Sequence, residues 1–377
     1  MSGELSLFDQ ALPDISPQSN GKSSYRRKVQ VLALGDIPGV GHATAVRLYD
    51  NRNFESIFMA NRDELQWIAG NAGVASPHVF AEAFLTHRSH ALETASFEFD
   101  RYESNGIELL LDTDEQYPQR LKEMQDRPRW LFVKGNLEVL NSERLITVVG
   151  SRQPSQSGVD LTKRIVSTLV KRGFVLVSGL AEGIDAEVHR ETVELKGQTI
   201  AVLGTGIFND FPASTSSLRG PIVQNAGAII TEYFPKEHYS KQKFIQRNRI
   251  QAALSNVTVP VEASVPSGTL HTIRFAKQYG RMVLGVKWAD SDDAPLHKFL
   301  RENDQTVVEV PLHDDPFMET LGLQYNYSHF VQDSQQARRK AQVDRVVRFA
   351  RSVVRSENLS DFELDLMIKR IREPKEE

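Results

Sequence analysis

From residue 145 onward, short runs of β-branched and other apolar residues alternate with helix-like segments, and this alternation constrains the fold most. The interval of about 25 to 30 residues between runs is typical of βαβ units, which build parallel sheets covered by helices. We therefore predict an α/β fold with an extended Rossmann-like, doubly wound and mainly parallel sheet. The predicted strands lie at residues 146–149, 174–177, 199–203, 228–231, 257–261 and 282–286, after two earlier candidates at 106–111 and 130–133.

The first two strands of the alternating region each run into a turn of small residues that precedes a helix. These turns begin at Gly150-Ser151-Arg152 and at Ser178-Gly179. Backbone amides at helix N-termini favour anions, and doubly wound sheets bind ligands outside the carboxyl ends of their strands. We expect the two turns to form one anion site, with the loops at residues 204–206, Glu232 and Glu262 at the same edge.

The composition bounds the kinds of partner. The chain has 377 residues, 40% of them apolar and 25% charged, and its formal net charge is -4. Binding of nucleic acid therefore has to come from a local concentration of Lys and Arg. There is no cysteine, which excludes disulfide and thiolate chemistry. Because neither a secretory signal nor a span of about 20 apolar residues is recognisable, we expect a cytoplasmic protein without a membrane partner.

Motifs for nucleotide and metal chemistry are missing. No GxxxxGK[ST] motif occurs, and Gly204-Thr205-Gly206 lacks the third glycine of the dinucleotide fingerprint. The histidines are scattered and show no spacing typical of metal ligands, so we predict no metal site. His189 is interpreted as a core residue rather than a catalytic base.

The most basic stretch of the predicted sheet domain lies between residues 236 and 249. Cations for phosphates and an aromatic ring for base stacking are what an unpaired nucleic-acid strand requires. The alternative is a solvated helix N-terminus with one buried Phe, and the stretch alone favours neither. The candidate contact residues are Lys241, Lys243, Phe244, Arg247, Asn248 and Arg249.

The chain divides into four predicted regions. Residues 1–27, rich in Ser, Pro and Asn, are predicted to be a flexible leader, and residues 28–100 a small all-α domain. Residues 101–312 hold the Rossmann-like domain. Residues 313–377 form a short C-terminal segment, in which apolar stripes predict two helices.

Within the all-α domain, residues 34–49 resemble a helix-hairpin-helix. In that family the turn between the helices grips a DNA phosphate. In this chain the turn carries almost no Lys or Arg beyond Arg47. We therefore favour a packing role over DNA contact, which stays the alternative.

Five motifs follow one another through the predicted sheet domain. They are Gly150-Ser151-Arg152-x-Pro154 with Gly158, residues 178–185 with His189, residues 197–204, Phe244-x-x-Arg247-Asn248-Arg249-Ile250, and Ser267-Gly268-Thr269 with Gly280-Arg281. In this order they resemble the motifs of the DNA-processing protein A (DprA/Smf) family, and the match covers about residues 106 to 287.

The resemblance implies an extended Rossmann-like domain that binds and protects incoming or processed single-stranded DNA. It also implies a homodimer that loads the RecA-type recombinase onto the strand, as in natural transformation and recombination. It implies no catalysis, so no catalytic residue and no cofactor are expected. The residues implied to contact DNA or phosphate are Gly150, Ser151, Arg152, Ser178, Gly179, Lys241, Lys243, Phe244, Arg247, Asn248, Arg249, Ser267, Gly268 and Thr269.

Two other functions remain open on the same scaffold. One is a nucleotide-processing enzyme, because Ser267-Gly268-Thr269 also resembles the cytokinin-activating phosphoribohydrolases, although His271-Thr272 replaces their catalytic Glu. The other is a sensor that binds a small nucleotide. The chain departs from the DprA/Smf pattern at residues 211–215, 251–253 and 286–293, which indicates a divergent member.

Overall fold

The computed structural model describes residues 19–52 and 54–310, with side chains from residue 24 onward. The predicted C-terminal helices lie outside these residues. The helical part consists of α1 (Ser19–Asp36), α2 (His42–Tyr49), α3 (Arg62–Asn71) and α4 (Pro77–Ser104). Helix α1 begins inside the stretch predicted to be a leader, and the boundaries of the four regions stay a prediction. The short segment between α1 and α2 is the predicted hairpin turn.

A nine-stranded sheet forms the centre of the described structure. Its order is β1-β2-β6-β5-β4-β3-β7-β8-β9, and only β1–β2 and β2–β6 pair antiparallel. The predicted mainly parallel, doubly wound sheet is confirmed. The strands are β1 (Ile107–Leu111), β2 (Trp130–Gly135), β3 (Leu145–Val149), β4 (Val175–Ser178), β5 (Thr199–Val202), β6 (Ala228–Thr231), β7 (Val257–Pro260), β8 (Met282–Trp288) and β9 (Thr306–Val310).

Within the described residues, seven further α-helices connect the strands. Strands β3 to β7 are buried along their whole length, as expected of parallel strands with both faces covered. Ser155 and Ser240 cap two of the helices by accepting hydrogen bonds from the backbone N–H three residues later. The helices are α5 (Gln119–Lys122), α6 (Gln156–Lys171), α7 (Ile184–Glu194), α8 (Arg219–Gln224), α9 (Lys241–Leu254), α10 (Thr269–Gln278) and α11 (Pro295–Glu302).

The strand order reverses between β3 and β7. Strands β4, β5 and β6 extend the sheet on one side of β3, whereas β7, β8 and β9 extend it on the other. The loops that leave β3 and β7 therefore separate at their carboxyl ends and open a crevice, which is where doubly wound sheets bind ligands.

The helical part packs on the sheet as one continuous apolar core. Leu34, Leu48 and Phe84 of the helices belong to the same buried cluster as Trp130 and Phe132 of β2. Among the helices of residues 19–310, none combines the length and apolar character needed to cross a membrane.

Candidate functional site

A cleft of about 730 Å³ lies at the switch point of the sheet, outside the carboxyl ends of β3 and β7. The turns after β3, β4 and β7 and the first two turns of α9 form its walls. Most predicted contact residues meet here: Gly150, Ser151, Arg152, Lys241, Phe244, Arg247, Asn248, Ser267, Gly268 and Thr269. Ser178, Gly179, Lys243 and Arg249 do not line it.

The turn after β3 is tied to its neighbours through the backbone of Ser151. The Ser151 N–H donates to the carbonyl of Glu262 (2.6 Å), and its carbonyl accepts from Ile184 (3.0 Å). The hydroxyl of Thr269 donates to the Gly150 carbonyl at 3.0 Å. Three separate segments of chain are thereby held together at one edge of the cleft.

The anion at the start of α6 is supplied by the protein itself. The carboxylate of Glu262 accepts hydrogen bonds from the backbone N–H (3.0 Å) and hydroxyl (2.6 Å) of Ser155, the residue before α6. A Cβ on Gly158 would collide with the same carboxylate. Glu262 therefore occupies the position at the N-terminus of α6 where a ligand anion was predicted.

The turn after β4 likewise surrounds an internal carboxylate. Asp185, on the first turn of α7, accepts hydrogen bonds from the backbone N–H groups of Gly179 and Ala181. Burial raises the pKa of Asp185, and the nearby guanidinium of Arg247 opposes that rise. Gly183 has a φ of +76°, and a Cβ there would collide with the Ser151 carbonyl. Here too the predicted ligand anion is replaced by a side chain.

Ser178 is removed from ligand contact by its own hydrogen bond. It is fully buried, and its hydroxyl donates to the Val148 carbonyl at 2.8 Å. This bond joins the ends of β3 and β4, so Ser178 supports the turns from beneath.

Arg247 is only 3% exposed and connects two strand ends. Its Nη1 donates short hydrogen bonds to the carbonyls of Gly179 and Val202. Burial lowers the pKa of Arg247 to about 10, although the carboxylate of Asp185 acts in the opposite direction. Arg247 borders the cleft, but its charge faces the protein interior.

Arg249 points away from the cleft and forms a bidentate ion pair. Its Nη1 and Nη2 lie 2.5 and 2.6 Å from the two oxygens of Glu232, which is 3% exposed. Burial alone would raise the pKa of Glu232, but Arg249 and His42 lower it to about 2. The predicted DNA contact by Arg249 has no geometric basis, since the guanidinium is already satisfied in the interior.

His42 joins the predicted hairpin turn to this ion pair. It is the first residue of α2, and its Nε2 lies 3.5 Å from Glu232. The imidazole also packs against the rings of Trp130 and Tyr233, with centroids 5.5 and 4.9 Å away. This geometry favours the packing interpretation of the helix-hairpin-helix.

Lys243 is engaged outside the cleft. Its Nζ donates to the His238 carbonyl at 3.0 Å and lies 2.5 Å from the carboxylate of Glu237. Arg152 and Lys241, in contrast, are exposed and line the cleft, and neither forms an ion pair with any residue between 19 and 310 that the structure describes. They are the cations available to a ligand there.

Phe244 forms the floor between these cations. Its side chain is 6% exposed, and its ring packs against Gly204, where a Cβ would lie 2.6 Å from the ring. The guanidinium carbons of Arg152 and Arg247 lie 5.5 and 5.2 Å from the ring centroid, within the range of cation–π attraction. The buried-Phe alternative from the sequence therefore applies to this residue.

Asn248 and the loop after β7 form the opposite wall. The Asn248 amide donates to the Gly268 carbonyl at 3.3 Å, and open space lies beside Gly268. Ser267 has a hydroxyl without a hydrogen-bond partner among the described residues. The Ser267 hydroxyl is itself buried, and the Asn248 amide also accepts a hydrogen bond from Arg247 at 3.2 Å, so this wall offers the cleft chiefly the N-terminus of α10.

Sequence reasoning missed several lining residues, among them Tyr239, Gln251 and His271. Tyr239 directly precedes the Ser240 cap of α9, so the helix start could have indicated it. No group of His, Asp and Glu suited to a metal occurs within the described ranges. His189 is fully buried, and its Nδ1 lies 2.8 Å from the Thr199 hydroxyl. Burial lowers its pKa to about 3, which fits a core residue.

The sheet order and the open cleft at its switch point define a Rossmann-like protein. Two exposed cations, Arg152 and Lys241, line that cleft. Residues 108–309 match the family described as DNA recombination-mediator protein A. The chain belongs to that family, and the family predicted from the sequence is confirmed.

Two relatives illustrate the match. The chain is 36% identical over 243 residues to DNA processing protein DprA of Streptococcus pneumoniae, covering 64% of this chain and 82% of the relative. It is 32% identical over 295 residues to Protein Smf of a Synechocystis strain, covering 77% and 72%.

Two solved structures are similar in fold. The crystal structure of DprA from S. pneumoniae matches with a TM-score of 0.59 and 28% identity, covering 78% of this chain and 95% of that one. DNA processing protein A from Helicobacter pylori, described for its unique single-stranded DNA binding mode, matches with a TM-score of 0.51 and 23% identity. That match covers 58% of this chain and 97% of the H. pylori chain.

Proposed function

We propose that this protein binds single-stranded DNA in the cleft and passes the strand to a RecA-type recombinase. The observation that carries the proposal is the pair of exposed cations, Arg152 and Lys241, which line the cleft and form no ion pair with any described residue. Cationic side chains of this kind hold phosphates, but they recognise neither a duplex nor a base sequence. The S. pneumoniae relative and the single-stranded DNA binding of the H. pylori protein support the same function.

The proposed roles differ among the predicted contact residues. Arg152 and Lys241 pair with phosphates, and the amides at Gly268 and Thr269 supply neutral hydrogen bonds. Asn248 and Ser267 shape this wall, because the Asn248 amide is bonded to Arg247 and Gly268 and the Ser267 hydroxyl is buried. Gly150 and Ser151 shape the turn that carries Arg152, and Phe244 supports its guanidinium. The remaining predicted residues support the fold and do not contact the strand. Their polar groups are bonded within the protein or, for the glycine, the volume that a Cβ would need is filled. They are Ser178, Gly179, Lys243, Arg247 and Arg249.

Binding is tested by fluorescence anisotropy with labelled oligo-dT of about 16 nucleotides, a length at the upper end of single-strand sites. We expect Arg152→Ala and Lys241→Ala each to weaken binding by about tenfold at low salt, since each removes a charged hydrogen-bond donor. Arg172→Ala is the matched control, because Arg172 is exposed at the far end of α6. Absence of oligo-dT binding at low salt would contradict the proposal.

Delivery to the recombinase is a separate step with its own measurement. RecA filament formation on strands already covered by a single-strand binding protein is followed through DNA-dependent ATP hydrolysis. We expect the wild-type protein to shorten the lag and Arg152→Ala to lengthen it again. An unchanged lag with intact DNA binding would restrict the function to binding and protection.

The proposal includes a homodimer in the cytoplasm and no enzymatic activity. Sedimentation velocity tests the dimer. Incubation with nucleoside monophosphates tests the absence of catalysis, and release of free base above background would revive the alternative enzyme function.

A further inference from the structure

Two aromatic rings stand exposed at the rim of the cleft. Phe211 and Tyr239 lie with their ring centroids 4.3 Å apart and their planes inclined by 33°. They are 39% and 42% exposed, whereas Phe244 is 6% exposed. We call Phe211 and Tyr239 the rim pair. An exposed pair of large rings on a loop surface forms a hydrophobic patch, and such patches mark sites that a ligand covers.

The rim pair continues the cleft rather than forming a separate patch. Tyr239 lines the cleft together with Lys241 and Arg152. Both rings meet the edge of Phe244, with centroids 5.0 Å away for Tyr239 and 5.7 Å for Phe211. A ligand that touches Arg152 over Phe244 is therefore adjacent to an aromatic surface that it can also cover.

The loops that carry the rim pair are fixed by internal hydrogen bonds. The guanidinium of Arg219 donates to the carbonyls of Ile207 (2.9 Å) and Asn209 (2.6 Å), which precede Phe211. Lys243 donates to the carbonyl of His238, and Ser240 caps α9, so both neighbours of Tyr239 are held. Little ordering of the rings is needed when a base binds, which lowers the entropic cost of stacking.

We propose that the rim pair is the surface on which a nucleobase of the bound strand stacks. The proposal rests on the single-strand binding function proposed above and assigns base contact to Phe211 and Tyr239 instead of Phe244. A nucleobase suits the site because it offers a flat π-face beside a phosphate, matching an aromatic surface beside two cations that form no ion pair with any described residue. Because every base has such a face, the contact favours single strands without selecting a sequence.

The experiment compares a normal strand with one that has no bases. Labelled oligo-dT and an abasic oligomer of the same length, about 16 nucleotides, are titrated in parallel at equal salt. We expect Tyr239→Ala to weaken oligo-dT binding about tenfold, as for one stacked base, and to change abasic binding less than about twofold. Phe211→Ala should act in the same direction, and Tyr239→Trp should restore oligo-dT binding.

The matched control is Phe97→Ala. Phe97 is 71% exposed on α4 and does not line the cleft, so its loss should leave both titrations unchanged. Thermal unfolding checks that each variant is folded. If Tyr239→Ala unfolds, Tyr239→Leu keeps apolar packing without a π-face, and the same results are expected of it.

Different failures point to different errors. Equal weakening of oligo-dT and abasic binding would show that Tyr239 acts through loop shape, and stacking would be rejected. Unchanged oligo-dT binding in Tyr239→Ala, with the loss in Arg152→Ala intact, would reject the rim pair and leave the binding function standing. If the wild-type protein binds neither oligomer at low salt, both proposals are wrong.

Discussion

The cations around the cleft fall into two groups that the sequence does not distinguish. Arg247 and Arg249 form a closed group, buried and satisfied by strand-end carbonyls and by Glu232. Arg152 and Lys241 form an open group, exposed and directed at the cleft. A buried guanidinium that loses its partner destabilises the fold, whereas an exposed one can be removed at little cost to stability. The closed group builds the site, and the open group is the one that the proposed function assigns to the ligand.

The largest expected effect comes from breaking the closed group at Glu232→Gln. Arg249 would keep its charge in the interior without a carboxylate, so we expect a loss of about 3 to 5 kcal/mol in unfolding free energy. Urea denaturation at neutral pH measures it. Glu82→Gln is the control, because the Arg62–Glu82 pair has side chains 59% and 51% exposed and should contribute at most about 1 kcal/mol.

The same pair predicts a loss of stability in acid. The pKa of Glu232 falls from its usual 4.5 to about 2 on folding, so its stabilisation is complete above pH 4.5. It is lost as the pH falls from about 4.5 to about 2, because the carboxylate then takes up a proton. Glu232→Gln should flatten this part of the stability profile. An unchanged profile would show that the pair does not hold its charge in the folded state.

The next effect tests the space around the closed group. A Cβ on Gly179 would collide with Arg247 and come within 2.5 Å of the Asp185 carboxylate, both of which are buried. We expect Gly179→Ala to cost about 1 to 3 kcal/mol, as overpacking of an interior does. Gly268→Ala is the matched control in the open wall, where nothing lies within 4 Å, and should change stability by less than about 0.5 kcal/mol.

The sequence predicted the family and the sheet because both depend on local signals. Apolar runs placed eight strands correctly to within a few residues, six of them at βαβ intervals. Strand β9 was missed, since it is a half-exposed edge strand with little apolar contrast. Which basic residues face the cleft and which face the interior depends instead on partners that are distant in the sequence. Glu232, Asp185 and the Gly179 carbonyl meet α9 only through the fold.

Helical periodicity would have improved the interpretation of the basic stretch. Lys241, Phe244 and Asn248 are spaced i, i+3 and i+7 and share the face of α9 that lines the cleft. Arg247 and Arg249 are two positions apart, about 200° around a helix, and so point in different directions. The basic residues between 236 and 249 therefore do not form one continuous surface.

A further effect is expected at His189, which is buried near Arg247. Burial lowers its pKa from 6.5 to about 3, so the unfolded chain binds a proton in this interval that the folded chain does not. Stability should therefore fall as the pH drops below about 6.5, by up to about 1.4 kcal/mol per pH unit. His189→Gln should reduce the slope between pH 6 and about 4.5, before Glu232 contributes. His87→Gln, an exposed substitution on α4, should leave the slope as it is.

The smallest effect on stability is expected for Arg152→Ala, at less than about 0.5 kcal/mol, because the side chain is exposed and forms no ion pair among the described residues. Its effect belongs to binding. When one phosphate contact with a single strand is removed, the slope of log Kd against the logarithm of the salt concentration should fall by about 0.7. The double variant with Lys241→Ala should lose about twice as much. A slope that stays at the wild-type value in both variants would mean that the open group does not face phosphates, and the division between closed and open cations would then describe stability alone.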